Sequence, residues 1–293
     1  MEKRAKNIHL FLMDGESTGR IKCTLANWTG ISYKIPRTML DKAKDIVPLS
    51  QTGVYFLFGH SDDTDEPVVY IGQAGVRKNG NGILGRLFEH KNNEKKDYWT
   101  EAVVFTTAND SFGQTEISYL ENRFCMMAKE SNRYEVKNEI EPTRGNITEE
   151  KESELEEFID YSKLIMGALG YKVFEPIVKV KLIEPEVPVD EEPILYFRSK
   201  KVDARGQRTA DGFAVFAGSK ISPVISKACP VSTIKNREKY QKYINEDGLL
   251  IKDINFTSPS AAAGFCGGSS LSGNANWKDE NGVSLGNLER ESM

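Results

Sequence analysis

The paired segments Gly53-Val54-Tyr55-Phe56-Leu57-Phe58 and Val68-Val69-Tyr70-Ile71-Gly72 predict a β-hairpin at the centre of the protein. Both are apolar and rich in β-branched and aromatic residues, a composition typical of buried strands. Residues 62–67, which lie between them, are polar and mostly acidic, and they predict the connecting loop. A third strand is predicted over Val103–Thr107.

Helices are predicted on both sides of this third strand. The glycine-rich residues 72–82 lead into a helix over Ile83–Lys91, and they lack the pattern of a nucleotide phosphate-binding loop. The segment Gln114–Lys129 predicts an amphipathic helix, because its apolar residues recur at helical spacing. Glu121 lies at the edge of this apolar stripe, where a carboxylate requires an explanation.

The rest of the chain predicts an α+β protein. Short strands are expected within residues 8–36, and a long helix over Glu149–Gly170 with Thr148 as its N-cap. Residues 184–193 contain three prolines and five acidic residues, which is the composition of an extended linker. The predicted parts are a β-rich N-terminal segment (1–49), a central domain with a trailing helix (50–183), the linker (184–193) and a separate C-terminal α+β domain (194–293).

Composition limits the class of protein. The 293 residues suffice for about two domains of ordinary size. The apolar runs are too short to span a membrane, and no long apolar segment follows Met1 as a secretory signal would require. The four cysteines are widely spaced, which argues against a zinc site or a disulfide framework. These features favour a bacterial-type cytoplasmic protein with no membrane partner.

The charge distribution is uneven although the net charge is −4. Nucleic-acid-binding proteins usually carry a basic surface, so an acidic chain argues against such a function at first sight. Residues 73–99, however, contain six basic side chains and three acidic ones, whereas residues 149–160 contain seven acidic side chains and one lysine. The acidic balance therefore lies outside the candidate site.

Hydrolysis of a phosphodiester requires a deprotonated water, neutralisation of the phosphate charge and protonation of the leaving oxygen. Arg86 offers a planar set of donors that suits phosphate, and Glu121 is a suitable ligand for one hard divalent cation. The remaining candidates, Tyr55, Tyr70 and His90, can transfer protons or position water.

These residues resemble the GIY-YIG nucleases. Gly53-Val54-Tyr55 and Tyr70-Ile71-Gly72 match the two motifs, with Val54 in place of the usual isoleucine. Arg86 and His90 follow at the spacing R-x-x-x-H, and the ordered set ends with Glu121 and Asn138. The resemblance covers residues 50–140 and implies a small three-stranded antiparallel sheet flanked by helices, in a DNA endonuclease.

The resemblance also implies roles for individual residues. Tyr55 would accept a proton from the attacking water, directly or through metal-bound water, and Tyr70 would position that water or the phosphate. Arg86 would bind the scissile phosphate, while His90 would assist proton transfer or contact phosphate. Glu121 would bind Mg²⁺ or Mn²⁺, and Asn138 would brace the site by hydrogen bonds. Further DNA contacts are expected from Gly72, Arg77, Lys78 and Lys91.

Two features extend or qualify the resemblance. The loop between Tyr55 and Tyr70 is longer than is usual in the family and is acidic, so DNA is not established as the substrate class. The C-terminal residues resemble a domain of unknown function found behind bacterial GIY-YIG nucleases and in restriction-modification-like proteins. The motifs that carry this likeness are Asp211-Gly212-Phe213, Gly218-Ser219, Ser258-Pro259-Ser260-Ala261-Ala262 and Trp277.

Other interpretations remain open at this stage. Tyrosines in strands commonly serve packing, and Glu121 could pair with Arg86 or Lys129 without a metal. The basic residues 198–208 could be a solvated edge or a DNA contact. The leading hypothesis is a metal-dependent DNA endonuclease of restriction, phage defence or repair, with a monomer and a homodimer both open. The alternatives are a non-catalytic nucleic-acid-binding module that retains the fold, and a structural or protein-interaction domain.

Overall fold

The computed structural model describes residues 5–75, 82–177 and 192–291. The chain divides into two compact units, Met1–Glu175 and Pro176–Met293. Most of the predicted linker, residues 184–191, lies outside the described residues. The fold is α+β, as predicted, and none of the helices described is long and apolar enough to cross a membrane.

A seven-stranded sheet forms the centre of the first unit, in the order β1-β2-β3-β6-β4-β5-β7. All neighbours are antiparallel except β5 and β7, which are parallel. The strands are β1 (Ile8–Leu12), β2 (Ile21–Leu25), β3 (Gly30–Pro36), β4 (Gly53–His60), β5 (Pro67–Ala74), β6 (Trp99–Thr107) and β7 (Glu135–Val136).

The sheet is therefore larger than the three-stranded sheet that the resemblance implied. The strands predicted from the hairpin and from Val103–Thr107 are β4, β5 and β6, and they are neighbours. The N-terminal strands extend the sheet because β3 pairs with β6 along its whole length, from Gly30 opposite Thr107 to Pro36 opposite Glu101. This pairing satisfies backbone groups of β6 that would otherwise be left at an exposed edge.

Alternating residues of β4 face two different cores. Tyr55 and Leu57 pack on the face covered by α1 (Ile83–Lys91). Phe56 and its neighbours on the opposite face pack against α2 (Gln114–Ser131) and α3 (Glu149–Ala168). Successive side chains of a strand point to opposite faces, so a strand in the middle of the sheet is apolar at every position. This arrangement buries Tyr55 beneath α1.

The second unit contains a four-stranded sheet in the order β11-β10-β9-β8. Its core centres on Trp277, which is fully buried against Phe197 and Phe213. A helix over Val231–Lys239 is followed by a short 3-10 turn, Gln241–Tyr243. Its elements are β8 (Leu195–Arg198), β9 (Asp203–Thr209), β10 (Gly212–Val215), α4 (Val231–Lys239), β11 (Ile254–Phe256), α5 (Pro259–Gly267), α6 (Gly273–Asn276) and α7 (Leu285–Glu291).

Candidate active site

Tyr55 and Gly72 lie directly opposite each other on β4 and β5. The ring of Tyr55 crosses the space next to Gly72, so a Cβ atom at position 72 would lie 2.3 Å from the Tyr55 hydroxyl. Glycine is therefore required at position 72 for the tyrosine to lie flat against the hairpin. The contact of Gly72 with DNA stays a prediction, and in the structure Gly72 lies against the ring of Tyr55.

The Tyr55 hydroxyl lies 2.7 Å from Nε2 of His90, which faces it from α1. Burial, followed by the positive charges of Lys96 and Arg86, lowers the pKa of His90 from 6.5 to about 3. The imidazole is therefore neutral near pH 7, and its Nε2 can accept the tyrosine proton. Since His90 is only 4% exposed, its geometry fits proton transfer with Tyr55 better than contact with a phosphate.

Tyr55 is itself fully buried. Burial is the main cause that raises the pKa of Tyr55 above its usual 10, and Tyr70 and Glu121 add to the shift. A hydrogen bond and the positive charge of Arg86 oppose it. Tyr55 is consequently a protonated phenol in this environment, and it can accept a proton only as it passes its own to a neighbour.

Tyr70 forms part of the open side of the cluster, since it is only half-buried. Its ring lies 6.3 Å from that of Tyr55 and 5.1 Å from that of His90, measured between centroids. Burial and the negative charge of Glu121 raise the pKa of Tyr70, while the charge of Arg86 and a hydrogen bond with Tyr55 lower it. Tyr70 is therefore more exposed to solvent than Tyr55, and a hydrogen bond joins the two phenols.

Arg86 is a half-exposed member of the same cluster. One guanidinium nitrogen lies 2.6 Å from the Glu89 carboxylate, one helical turn away on α1. Both side chains line a groove of about 690 Å³ whose other walls include Lys44, Ile46 and Phe88. Arg86 thus faces Tyr55 on one side and an open groove on the other.

Glu121 extends from α2 towards the end of β5. Burial raises the pKa of Glu121, and hydrogen bonds from Gln73 together with the charge of Arg86 oppose the shift. The side-chain oxygen of Gln73 accepts hydrogen bonds from Gln114, at 2.8 Å, and from Ser118, at 3.2 Å. Gln73 therefore connects Glu121 to the first turns of α2 and holds the carboxylate in place. Nothing in the sequence pattern distinguished Gln73 as part of the site.

A divalent cation fits this site only with help from the substrate. Among the described residues, no group of three histidine, cysteine or acidic side chains converges on one point. Mg²⁺ commonly binds through one or two carboxylates, substrate phosphates and water, so a single half-buried Glu121 is compatible with it. We therefore expect weak metal binding by the protein alone and stronger binding in the presence of a phosphodiester.

Asn138 braces the strand that carries Tyr70. Its side-chain oxygen accepts from the backbone N–H of Ile71 at 3.1 Å, and its amide nitrogen donates to the Ile71 carbonyl at 2.7 Å. The backbone N–H of Lys137 donates to the carbonyl of Val69 at 2.8 Å. The Asn138 carboxamide thus continues the pairing of β7 with β5, and backbone groups on both sides of Tyr70 are fixed.

Three further residues were predicted to contact DNA: Lys91, Arg77 and Lys78. Lys91 forms an ion pair with Asp41 at 3.0 Å. Arg77 and Lys78 lie outside the described residues. A residue that the sequence analysis did not single out, Lys96, places its ammonium 3.3 Å from the centroid of the Tyr70 ring.

The basic stretch in the second unit is partly neutralised. Arg198 stacks on Tyr196 and lies 3.7 Å from Asp203. Arg208 forms an ion pair with Glu289. These contacts favour the interpretation of this stretch as a solvated sheet edge with internal ion pairs.

Residues 195–289 match the family model of a domain of unknown function, DUF4357. This match covers about a third of the chain and confirms the resemblance predicted for the C-terminal part. No GIY-YIG family model was matched over residues 50–140. No curated protein and no solved structure matches the chain at a significant level.

Proposed function

We propose that the first unit is a metal-dependent endonuclease that hydrolyses phosphodiester bonds of DNA. The observation that carries the proposal is the convergence of Tyr55, Tyr70, Arg86, His90 and Glu121, centred on the 2.7 Å contact between Tyr55 and His90. Acceptor, phosphate-binding and metal-binding groups for hydrolysis are thus present within one cluster. Restriction, phage defence and repair are the settings that such an activity would serve.

Arg86 would bind the scissile phosphate. Its present partner, Glu89, is 42% exposed, and exposed ion pairs of this kind contribute at most about 1 kcal/mol. A phosphate can therefore replace Glu89 at low energetic cost. The adjoining groove leaves room for the nucleotide next to that phosphate.

The proton of the attacking water would leave through the tyrosines. Tyr70 lies on the open side of the cluster, where it can hold the water, and the hydroxyl of Tyr55 lies between Tyr70 and His90. Tyr55 would accept a proton from this side as it donates its own to Nε2 of His90. The relay starts from a phenol and a neutral imidazole, as the pKa shifts of both groups require. It would place the proton on His90, where the lowered pKa disfavours the imidazolium, so the proton must leave His90 again within the same turnover.

Glu121 would hold Mg²⁺ or Mn²⁺ together with the substrate phosphate. When bound, such a cation neutralises charge on the phosphate and makes a neighbouring water more acidic. Gln73 would keep the carboxylate oriented, and Arg86 would share the anionic substrate with the cation.

The experiment that tests this function compares DNA binding and cleavage for the parent and for Arg86→Ala and Arg86→Lys. Supercoiled plasmid and short duplexes would be incubated with magnesium, and affinity would be measured with calcium. We expect Arg86→Ala to lose both affinity and rate, and lysine to restore them only in part because it lacks the planar guanidinium. Salt-sensitive binding by a parent that never cuts DNA would contradict the proposal and favour a binding module.

A further inference from the structure

Lys96 ends a 3-10 turn, Glu94–Lys96, between α1 and β6. Its ammonium lies 3.3 Å from the centroid of the Tyr70 ring, and the side chain is half-buried. A lysine that packs on an aromatic face is common, but it usually keeps its ammonium in water. Lys96 instead places a cation against the half-exposed tyrosine of the proposed site.

The groups that surround Lys96 are mostly cationic or neutral. Arg86 and His90 face it from α1, Tyr70 from β5, and Glu139 from the segment after β7. Within the part of the chain that the structure describes, no carboxylate oxygen lies within the 4.0 Å ion-pair distance of its ammonium. Burial and the charge of Arg86 lower the pKa of Lys96 from 10.5 to about 8, although Glu139 opposes the shift.

Two partly desolvated cations, Lys96 and Arg86, thus flank Tyr70; Arg86 is paired only with the exposed carboxylate of Glu89, and Lys96 forms no ion pair with a described residue. Such an arrangement costs free energy in the free protein, and an anion bound between the cations would recover it. Lys91 provides a useful contrast, because Asp41 neutralises it.

We infer that Lys96 is a second phosphate-binding residue, which contacts a non-bridging oxygen of the DNA strand at Tyr70 while Arg86 contacts the same strand from α1. The inference rests on the proposed function for its substrate. It adds a positive group that no motif of the sequence assigns. It also accounts for a lysine that is held against the ring of Tyr70 when it could extend into solvent.

The test uses Lys96→Met, Lys96→Arg and the control Lys163→Met in the full chain; Lys163 lies on α3 in an ion pair with Asp160. Affinity for a short DNA duplex would be measured in calcium at several salt concentrations. For Lys96→Met we expect about tenfold weaker binding at low salt, and a salt slope reduced by about one. Arginine should restore the slope, and Lys163→Met should leave it unchanged. Thermal unfolding would be measured for each variant to verify that it folds.

The pH dependence gives a second measurement. Protonated Lys96 binds phosphate, so its contribution to affinity should be present below pH 8 and fall as the pH rises through about 8. His90 does not titrate in this range, and the Lys96→Arg variant should lose the alkaline decline. The inference is overturned if Lys96→Met keeps the parent's salt slope and pH profile, or if the parent does not bind DNA. A parent that binds DNA with this slope but does not cut it in magnesium or manganese would contradict the proposed function and leave Lys96 supported.

Discussion

The ring of Tyr55 fills the space that any side chain at position 72 would need. A Cβ atom there would lie 2.3 Å from the tyrosine hydroxyl and 2.4 Å from the ring carbon that bears it. Gly72 therefore determines where the ring of Tyr55 lies, and hence where the Tyr55 hydroxyl contacts His90. Activity in this site should depend on that glycine as strongly as on the polar residues.

Gly72→Ala should displace Tyr55 from His90. Overpacking of this kind typically costs about 1–3 kcal/mol in the free energy of unfolding. We expect the cleavage rate to fall even for protein that remains folded, because the added methyl group changes the position of the Tyr55 hydroxyl relative to His90. Gly167→Ala is the control, since the added methyl group there meets only a side-chain oxygen of Glu175 at 3.4 Å. Equal cleavage rates for parent and Gly72→Ala would show that this packing does not matter.

Tyr55→Phe should separate chemistry from binding. The substitution keeps the ring that packs beside Gly72 and removes the hydroxyl that contacts His90. We expect DNA affinity in calcium to be unchanged and the single-turnover rate to fall by orders of magnitude, because proton transfer matters only on the way to the transition state.

The control for Tyr55→Phe is Tyr119→Phe, which removes another buried tyrosine hydroxyl. This hydroxyl lies 2.7 Å from Glu156 of α3, in the core on the opposite face of the sheet from Tyr55. It should lose stability while keeping the cleavage rate. A Tyr55→Phe protein with reduced affinity but a normal rate at saturation would make Tyr55 a binding residue.

Asn138→Ala should loosen the strand that carries Tyr70. It removes both hydrogen bonds to Ile71, and the loss of a buried partner typically costs about 1–3 kcal/mol. Amide hydrogen exchange at Ile71 should accelerate, and cleavage should slow with little change in DNA affinity. Unchanged protection of the Ile71 amide would refute the bracing role.

Glu121→Gln should stabilise the protein at neutral pH. Because burial raises the pKa of Glu121, the folded state takes up its proton more readily than the unfolded state. Stability from this group is therefore present at low pH and is lost as the pH rises through the folded pKa. The variant should unfold at a higher temperature than the parent near pH 7, and the difference should vanish in acid. Exposed Glu130→Gln on the same helix is the control, and a lower unfolding temperature for Glu121→Gln would contradict the expected sign.

Local patterns predicted the central hairpin and its two helices, because apolar runs rich in β-branched and aromatic residues, and helical spacing, are visible within a few residues. The pairing of β3 with β6 was not predictable in this way, since residues 30–36 meet residues 101–107 only in the folded sheet. For the same reason the short strand β7 escaped the sequence analysis, although Asn138 beyond it was identified by the resemblance.

The same distinction between local patterns and contacts of residues distant in sequence applies to the candidate site. The tyrosines, Arg86, His90 and Glu121 could be predicted because the motifs preserve their order and spacing. Lys96 could not, because residues 92–97 read as a solvated charged run, and only the turn between α1 and β6 brings its ammonium over Tyr70. Gln73, at the end of β5, forms hydrogen bonds with Glu121 of α2. Neither the strand pattern nor the helix pattern in the sequence indicates this contact.

The central claim, that this cluster cuts DNA with a divalent cation held at Glu121, is tested most directly by single-turnover cleavage of a labelled duplex. The parent, Glu121→Ala and the surface control Glu130→Ala would be compared in magnesium, in manganese and with EDTA, after verification that each protein folds. We predict metal-dependent cleavage by the parent and by Glu130→Ala, and none by Glu121→Ala or with EDTA. Cleavage by Glu121→Ala at the parent's rate in magnesium would contradict the account.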